Sequence, residues 1–346
     1  MATKPLNQPR KKVLIIGPSW VGDMVMAQSL FIDLVERNPG VLIDVLAPAW
    51  TAALTDRMPQ VNRSIKVAFE HGKLSFVERW KLARQLGHQG YEQAIVLPNS
   101  IKSALVPAIA GIPVRTGFIG EQRWGLVNDI RKLNKTVLPM TVQRFLALAG
   151  TADEAVRDLA SIPIPQLSVK RVSVAAALKA NELNVDKKIL VLCPGAEFGM
   201  SKQWPADHFA LVADYFLNKD WQVWLLGSDK DKLVCDEINT ICEHRLSVLA
   251  GKTSLPEAVD LMSLASQVVA NDSGLMHIAA ALQKPLVAVY GSTDPGHTPP
   301  LSANHKVARI ELDCSPCFKR ECPLKHHQCM RDLSANEVIK FCQELA

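Results

Sequence analysis

The stretch "VVANDSGLMHIAAAL", Val268 to Leu282, carries the side chains best suited to bind a phosphate group. It runs from an apolar strand into a helix, and helical spacing places Ser273 and His277 four residues apart on one face. The free backbone amides behind Ser273 and Gly274 carry a partial positive charge, and glycine lets an anion approach the backbone closely. We therefore expect a diphosphate here, with His277 donating a hydrogen bond to one phosphate oxygen.

The same residues also have a purely structural interpretation, which their spacing does not exclude. Asp272 is a residue type favoured at a helix N-cap, and a histidine on an apolar helix often lies in the core with its polar atoms satisfied.

A second candidate segment, "CPGAEFGMSKQWP", runs from Cys193 to Pro205 and follows another apolar strand. Its prolines and glycines predict a long loop before a helix that begins near Pro205. Lys202 is a point charge suited to a phosphate, and Glu197 can accept hydrogen bonds from sugar hydroxyls. The alternative is that both are solvated loop side chains.

The opening stretch "IIGPSWVGDMVMAQSL", Ile15 to Leu30, runs from strand to loop to helix but lacks the G-x-G-x-x-G pattern of a phosphate-binding loop. An acid, Asp23, stands in the first helical turn instead. The helix dipole and free amides should favour its charged form and lower its pKa. A carboxylate in that state can accept a proton from a sugar hydroxyl, as a general base does. The alternative is that Asp23 caps the helix.

Four further residues are candidates for binding an acceptor substrate. Ser19 and Trp20 precede Asp23 in the same loop. Asn99 and Lys102 lie in "LPNSIKSALVP", at the end of a later predicted strand.

A cysteine-bearing segment near the end, "DCSPCFKRECPLKHHQCM", contains Cys314, Cys317, Cys322 and Cys329. The C-x2-C-x4-C-x6-C spacing supplies enough thiolates for zinc or an iron–sulfur cluster. Reduced structural thiols in a late loop are the alternative. We assign no metal ligand.

These segments belong to a chain in which short apolar runs alternate with helix-period segments, a pattern typical of β-α units and parallel sheets. We predict four strands before residue 161, and five after residue 186. The breaker-rich stretch 161–170 begins a linker. The expected domains are 1–170 and 171–330, each doubly wound and facing a cleft at the strand carboxyl ends. Ser334 and Glu337 fit a capping box, so residues 331–346 should end in a helix whose docking is not predictable.

Composition agrees with a globular protein. The 346 residues are 48% hydrophobic and 21% charged, and the net charge of +5 is too small and diffuse to indicate a nucleic-acid partner. The polar N-terminus does not resemble a signal peptide, its first ten or so residues look like an extension, and no apolar run is long enough to span a bilayer. Eight cysteines without an export signal indicate reduced thiols or metal ligands in the cytoplasm, and not a disulfide framework.

Taken together, six stretches in order resemble the ADP-heptose:lipopolysaccharide heptosyltransferases, from about Lys12 to the end. They are "GPSWVGDMVMAQSL", "APAW", "LPNSIKSALVPAIAGIPVRTG", "CPGAEFGMSKQWP", "NDSGLMHIAAAL" and "YGSTDP". The resemblance implies a GT-B architecture of two Rossmann-like domains, with the acceptor held mainly by 1–170 and ADP-heptose by 171–330. It also implies an inverting transfer from ADP-heptose. Among these enzymes the chain is most similar to those that add a second heptose to the first heptose of heptosyl-Kdo2-lipid A.

By motif match, Asp23 resembles the general base and Lys202 a phosphate ligand, while Asp272, Ser273, Gly274 and His277 resemble donor contacts. The resemblance implies no cofactor and no catalytic metal. It also implies a cytoplasmic location, with peripheral contact at the inner membrane where the acceptor lies.

Two other functions remain open from the residues themselves. A nucleotide-sugar epimerase of the same two-domain form would bind the donor without needing an acceptor. A regulatory protein organised by a metal or cluster on the late cysteines is the third possibility.

Overall fold

The computed structural model describes residues 10–69, 75–151, 154 and 159–345. The chain divides into two compact units, 1–163 and 164–346, and the division falls inside the stretch interpreted as a linker. Each unit is built on one six-stranded parallel sheet. The N-terminal extension suggested by the sequence lies, up to residue 9, outside the described residues.

The first unit has the strand order β3-β2-β1-β4-β5-β6, with every neighbouring pair parallel. Among its described residues, five α-helices connect the strands or follow them. The elements are β1 (Lys12–Ile16), α1 (Val21–Arg37), β2 (Leu42–Pro48), α2 (Ala49–Thr55), β3 (Val61–Val67), α3 (Phe76–Gly87), β4 (Gln93–Val96), α4 (Ile101–Ile109), β5 (Val114–Phe118), β6 (Asp129–Arg131) and α5 (Thr141–Leu146).

The second unit has the order β12-β11-β10-β7-β8-β9, again parallel throughout. Counted from its own first strand, this is the same order as in the first unit. The elements are α6 (Arg171–Ala180), β7 (Ile189–Cys193), α7 (Ala206–Leu217), β8 (Gln222–Leu225), α8 (Lys232–Ile241), β9 (Ser247–Val248), α9 (Leu255–Met262), β10 (Gln267–Asn271), α10 (Gly274–Ala281), β11 (Leu286–Val289), β12 (His305–Ala308), α11 (Gln328–Arg331) and α12 (Ala335–Glu344).

All nine strands predicted from apolar runs are confirmed, because each run overlaps a strand of one of the two sheets. The central strands β1 and β7 are almost entirely buried, as expected where helices cover both faces of a parallel sheet. Three strands were not predicted: β5, β6 and β12. They are short or partly exposed, and their sequences "VRTGF", "DIR" and "HKVA" lack a continuous apolar run.

The shared strand order fixes where each sheet changes winding direction. The change lies between β1 and β4 in the first unit, and between β7 and β10 in the second. In doubly wound sheets, ligands bind at the carboxyl ends of the strands beside this switch point.

The C-terminal helix is confirmed as α12. The Ser334 side chain accepts a hydrogen bond from the Glu337 backbone N–H, as the capping box predicts. The helix packs on α7, β11 and β12 of the second unit, which settles its docking. Just before it, the Leu333 carbonyl accepts a hydrogen bond from the buried Trp204 indole at 2.9 Å.

In the described part of the chain, no helix has both the length and the apolar character that crossing a bilayer requires.

Candidate active site

Lys202 and Asp272 meet at the switch point of the second unit. Lys202 ends a short 3-10 turn in the loop after β7, and Asp272 directly follows β10. The Lys202 ammonium donates to the Asp272 carboxylate at 2.6 Å, and both side chains are largely buried. The structure therefore brings together two predicted site residues that are 70 positions apart in sequence.

The Asp272 carboxylate has a second partner in the "YGSTDP" stretch, a residue that was not itself among the predicted site residues. Thr293, in the turn after β11, donates its hydroxyl to the same carboxylate oxygen at 2.6 Å, and the contact is buried. The N-cap interpretation of Asp272 is wrong, because Ser273 occupies the N-cap position of α10. The Asp272 side chain instead holds Lys202 in place.

Asn271, the last residue of β10, fixes the loop after β7. Its side-chain amide donates to the Pro194 carbonyl at 2.6 Å and accepts from the Trp204 backbone N–H at 3.2 Å. The loop after β7 is therefore tied at both ends to the last residue of β10. The sequence pattern marks Asn271 only as a strand terminus and gives no signal for this role.

The N-terminus of α10 presents the backbone amides predicted to bind phosphate. Ser273 has extended backbone geometry, its side chain makes no capping hydrogen bond, and Gly274 is the first helical residue. His277 lies one turn further and is buried. Burial lowers the pKa of His277 to about 4, with the Lys202 cation acting in the same direction and Asp272 opposing it. The imidazole is therefore neutral at pH 7 and carries one N–H donor.

Glu197 does not join this group. Its carboxylate forms an exposed ion pair with Lys230, which is closer to the solvated-loop alternative than to a sugar-binding position. The neighbouring Phe198 ring lies 5.0 Å from the Lys202 ammonium and 5.6 Å from the Arg320 guanidinium. Phe198 therefore links the Lys202 loop to the cysteine-bearing segment.

Asp23 lies at the switch point of the first unit, as the third residue of α1. The N-cap position belongs to Trp20, so Asp23 is not the capping residue. Ser19 and Trp20 are exposed in the loop between β1 and α1. The Trp50 indole donates to the Ser19 carbonyl at 2.9 Å and helps fix this loop.

Asn99 and Lys102 lie in the adjacent connection, after β4. Since β1 and β4 pair in parallel, their carboxyl ends share one edge of the sheet. The buried Arg123 donates to the Asn99 side chain at 3.3 Å and to the Pro98 carbonyl at 2.7 Å. Arg123 thus organises this connection, and no motif pointed to it.

The four late cysteines line one small cavity of about 20 Å³ in the second unit, together with His326 and His327. The pKa of Cys322 is lowered, chiefly by the backbone N–H of His327, whereas burial and the other three thiols raise the pKa of Cys329 to about 11. Within the described residues, no three His, Cys, Asp or Glu side chains are arranged to hold a metal ion.

The cysteine-bearing segment packs against the Lys202 loop. The Ser201 backbone N–H donates to the Arg320 carbonyl at 3.2 Å, and the Ser201 hydroxyl donates to the Lys319 carbonyl at 2.5 Å. Gly199 lies so close to the backbone of the same segment that an added Cβ would be 2.4 Å from the Arg320 carbonyl oxygen. The cysteine-bearing segment therefore supports the loop that carries Lys202.

Comparison with known proteins gives a consistent result over almost the whole chain. Residues 79–328 match the sequence pattern of "Glycosyltransferase family 9 (heptosyltransferase)". The chain is 44% identical to "Lipopolysaccharide heptosyltransferase 2" of Escherichia coli K12, covering 95% of this chain and 97% of that protein. It is 42% identical to "Lipooligosaccharide heptosyltransferase 2" of Haemophilus influenzae, covering 96% and 99%.

A solved structure shows the same likeness in three dimensions. The structure of E. coli ADP-heptose lps heptosyltransferase II matches with a TM-score of 0.85 and 42% identity, covering 96% of this chain and 98% of that one.

Proposed function

The chain belongs to glycosyltransferase family 9, the heptosyltransferases, and on this basis we propose that it transfers L-glycero-D-manno-heptose from ADP-heptose to an inner-core acceptor. The observation that carries the proposal is 44% identity to a lipopolysaccharide heptosyltransferase 2 along nearly the full length of both chains. The two parallel-sheet units are those of a GT-B glycosyltransferase. The acceptor is the first heptose of heptosyl-Kdo2-lipid A.

The second unit supplies the donor site in this proposal. The diphosphate of ADP-heptose binds at the N-terminus of α10, where the backbone amides of Ser273 and Gly274 favour an anion. Lys202 provides the cation and Asp272 holds it, since their side chains are 2.6 Å apart. His277, being neutral, donates a hydrogen bond without adding charge.

These groups matter most when the donor bond breaks. As the anomeric C–O bond is cleaved, negative charge grows on the departing ADP. Lys202 and the α10 amides stabilise that charge in a partly buried setting, where fixed dipoles are most effective. Metal-independent transfer is part of the proposal, and activity that survives exhaustive treatment with a chelator is its test.

The first unit supplies the acceptor site and the base. Asp23 accepts the proton of the attacking acceptor hydroxyl while the acceptor oxygen forms the new bond on the face of the sugar opposite ADP. One C–O bond forms, one breaks, and the anomeric configuration inverts. Ser19, Trp20, Asn99 and Lys102 line the acceptor side, since all four stand at the carboxyl ends of β1 and β4.

The acceptor is attached to lipid A, so the enzyme works at a membrane surface. We propose a cytoplasmic protein that makes peripheral contact with the inner membrane while the acceptor is bound.

The test is transfer from ADP-heptose to an acceptor that carries one inner-core heptose, with the product identified by mass spectrometry and its linkage by NMR. An acceptor without heptose is the matched control and should give no product. Steady ADP release or an epimerised sugar from ADP-heptose alone would contradict the proposal and favour an epimerase.

A further inference from the structure

Helix α3 carries apolar side chains on the side that faces solvent. Phe76, Val77 and Trp80 are 52%, 56% and 46% exposed, whereas Ala83 and Leu86 on the other side are buried in the first unit. Trp80 is four residues after Phe76 and three after Val77, so the three side chains are neighbours on one face and form a strip, unlike isolated exposed residues, which need no explanation. The strip is therefore a candidate binding surface.

Two cations share this surface and outnumber Glu78, an exposed acid in the first turn of the same helix. Lys81 and Arg84 are exposed on the same helix, and the Arg84 guanidinium lies 5.5 Å from the centre of the Trp80 ring. Aromatic rings mixed with basic side chains on an outward helical face are characteristic of segments that lie in the headgroup region of a bilayer. We call Phe76, Val77, Trp80, Lys81 and Arg84 the α3 face.

The α3 face lies beside the acceptor end of the first sheet. In a parallel β-α-β unit the helix begins at the carboxyl edge of the sheet, so Phe76 stands at the edge where β1 and β4 end. Arg79 ties α3 to the next connection by donating to the Lys102 carbonyl at 2.9 Å. Exposed apolar surface continues there with Ile101, the first residue of α4.

A second copy of the chain is a poorer occupant than a membrane. In a two-fold symmetric contact the same patch meets itself, so Lys81 and Arg84 would approach their own equivalents. Lysine is also depleted from the centre of protein interfaces. An anionic bilayer instead accepts the rings into its headgroup layer and attracts both cations.

We propose that the α3 face docks the first unit on an anionic phospholipid surface, with the acceptor end of its sheet held next to the lipid. This deepens the proposed function, since it rests on the acceptor being a membrane lipid. Its role is to position the first unit, and none of its five residues belongs to the proposed transfer machinery.

The test is co-sedimentation of the full chain with vesicles of phosphatidylcholine, with or without phosphatidylglycerol. The wild type should bind the phosphatidylglycerol vesicles and lose binding as salt is raised, because exposed charges are screened. The double variant Phe76→Ser, Trp80→Gln should bind about tenfold more weakly or worse. Lys81→Ala should weaken binding to the phosphatidylglycerol vesicles about fivefold.

The matched control is Leu233→Ser, which removes an apolar side chain that is 83% exposed, more than any on the α3 face, from α8 in the second unit and should bind like the wild type. Circular dichroism and thermal unfolding check that each variant is folded. Wild-type protein that stays in the supernatant with phosphatidylglycerol vesicles would overturn the proposal. Equal vesicle binding by the wild type and the double variant would do the same.

An activity comparison separates docking from chemistry. The double variant should slow transfer to an acceptor embedded in vesicles, but not to the same core sugar lacking its acyl chains. An equal loss with both acceptors would contradict a docking role. If the wild type transfers heptose to neither acceptor, the proposed function fails, and vesicle binding still decides the docking proposal.

Discussion

Asp23 is the residue on which the proposed chemistry depends most directly. Replacing it by asparagine keeps the shape of the side chain but removes the proton acceptor. We expect Asp23→Asn to lower kcat by about 10²- to 10⁴-fold, the range typical of a lost general base. ADP-heptose affinity should change by less than about twofold, because the proposed donor groups lie in the other unit.

Single-turnover assays measure the rate of heptose transfer, and calorimetry measures the affinity for ADP-heptose, so the two effects are obtained separately. Trp50→Phe, which removes the indole hydrogen bond to the Ser19 carbonyl without changing a proposed site residue, is the control for disturbance of the loop. Near-normal turnover in Asp23→Asn would remove the residue from the role of base.

Lys202 and Lys230 form a matched pair for comparison, because one lies in the loop after β7 and the other pairs with a residue of that loop. Lys202 is partly buried and bonded to Asp272, whereas Lys230 pairs with Glu197 in solvent. Lys202→Met should weaken ADP binding by about 10- to 100-fold, as expected for the loss of a charge-assisted hydrogen bond. Lys230→Met should leave it within about twofold, because exposed ion pairs contribute little.

Calorimetric titration with ADP measures both lysine variants under the same conditions. Equal affinities for the two variants would show that Lys202 does not contact the diphosphate.

At the scale of elements, the Lys202 loop packs so closely on the cysteine-bearing segment that adding one methyl group at Gly199 tests the contact. Alanine at position 199 would place its Cβ 2.4 Å from the Arg320 carbonyl oxygen, a backbone atom that cannot rotate away. We expect Gly199→Ala to reduce the free energy of unfolding by about 1–3 kcal/mol and to weaken ADP binding, because the loop must shift.

Gly296→Ala is the control for Gly199→Ala, since Gly296 is exposed and the nearest atoms to an added Cβ there, from 3.1 Å, belong to the Asp294 side chain. Urea unfolding and ADP calorimetry on both variants provide the measurement. Unchanged ADP affinity in Gly199→Ala would show that the cysteine-bearing segment does not support the Lys202 loop.

The elements that position the site were largely predictable from sequence. Continuous apolar runs mark β1 and β7 because both faces of these strands are buried. The short edge strands β6 and β12 were missed because half-exposed strands have no such run. The helix N-termini near Asp23 and Ser273 were also predictable, because each follows directly after such an apolar run.

The contacts inside the site were less predictable. Thr293, Arg123 and Asn271 act through partners far away in sequence, or through backbone carbonyls, and no local pattern encodes such contacts. The Lys202–Asp272 pair is similar, because each residue was identified alone and only the fold brings them together.

At the scale of the whole molecule, the buried His277 makes stability depend on pH. Its folded-state pKa of about 4 lies below the usual value of 6.5, so the unfolded chain binds a proton that the folded chain does not. Stability from this source is complete above pH 6.5 and is lost as the pH falls toward 4. The total is at most about 3 kcal/mol.

We therefore expect His277→Gln to show a smaller loss of unfolding free energy between pH 7 and pH 4.5 than the wild type. Urea unfolding at several pH values measures the slope. His88→Gln, an exposed position, is the control and should keep the wild-type slope. Identical slopes for His277→Gln and the wild type would show that His277 is not held neutral.

The repeated strand order has a consequence for how the protein is made. Every strand of the first sheet lies before residue 132, and every strand of the second lies after residue 188, so neither sheet borrows a strand from the other. The first unit can thus complete its sheet while the ribosome is still translating the second, which takes roughly ten to forty seconds. Its exposed α3 face is then available to a membrane before the second unit exists.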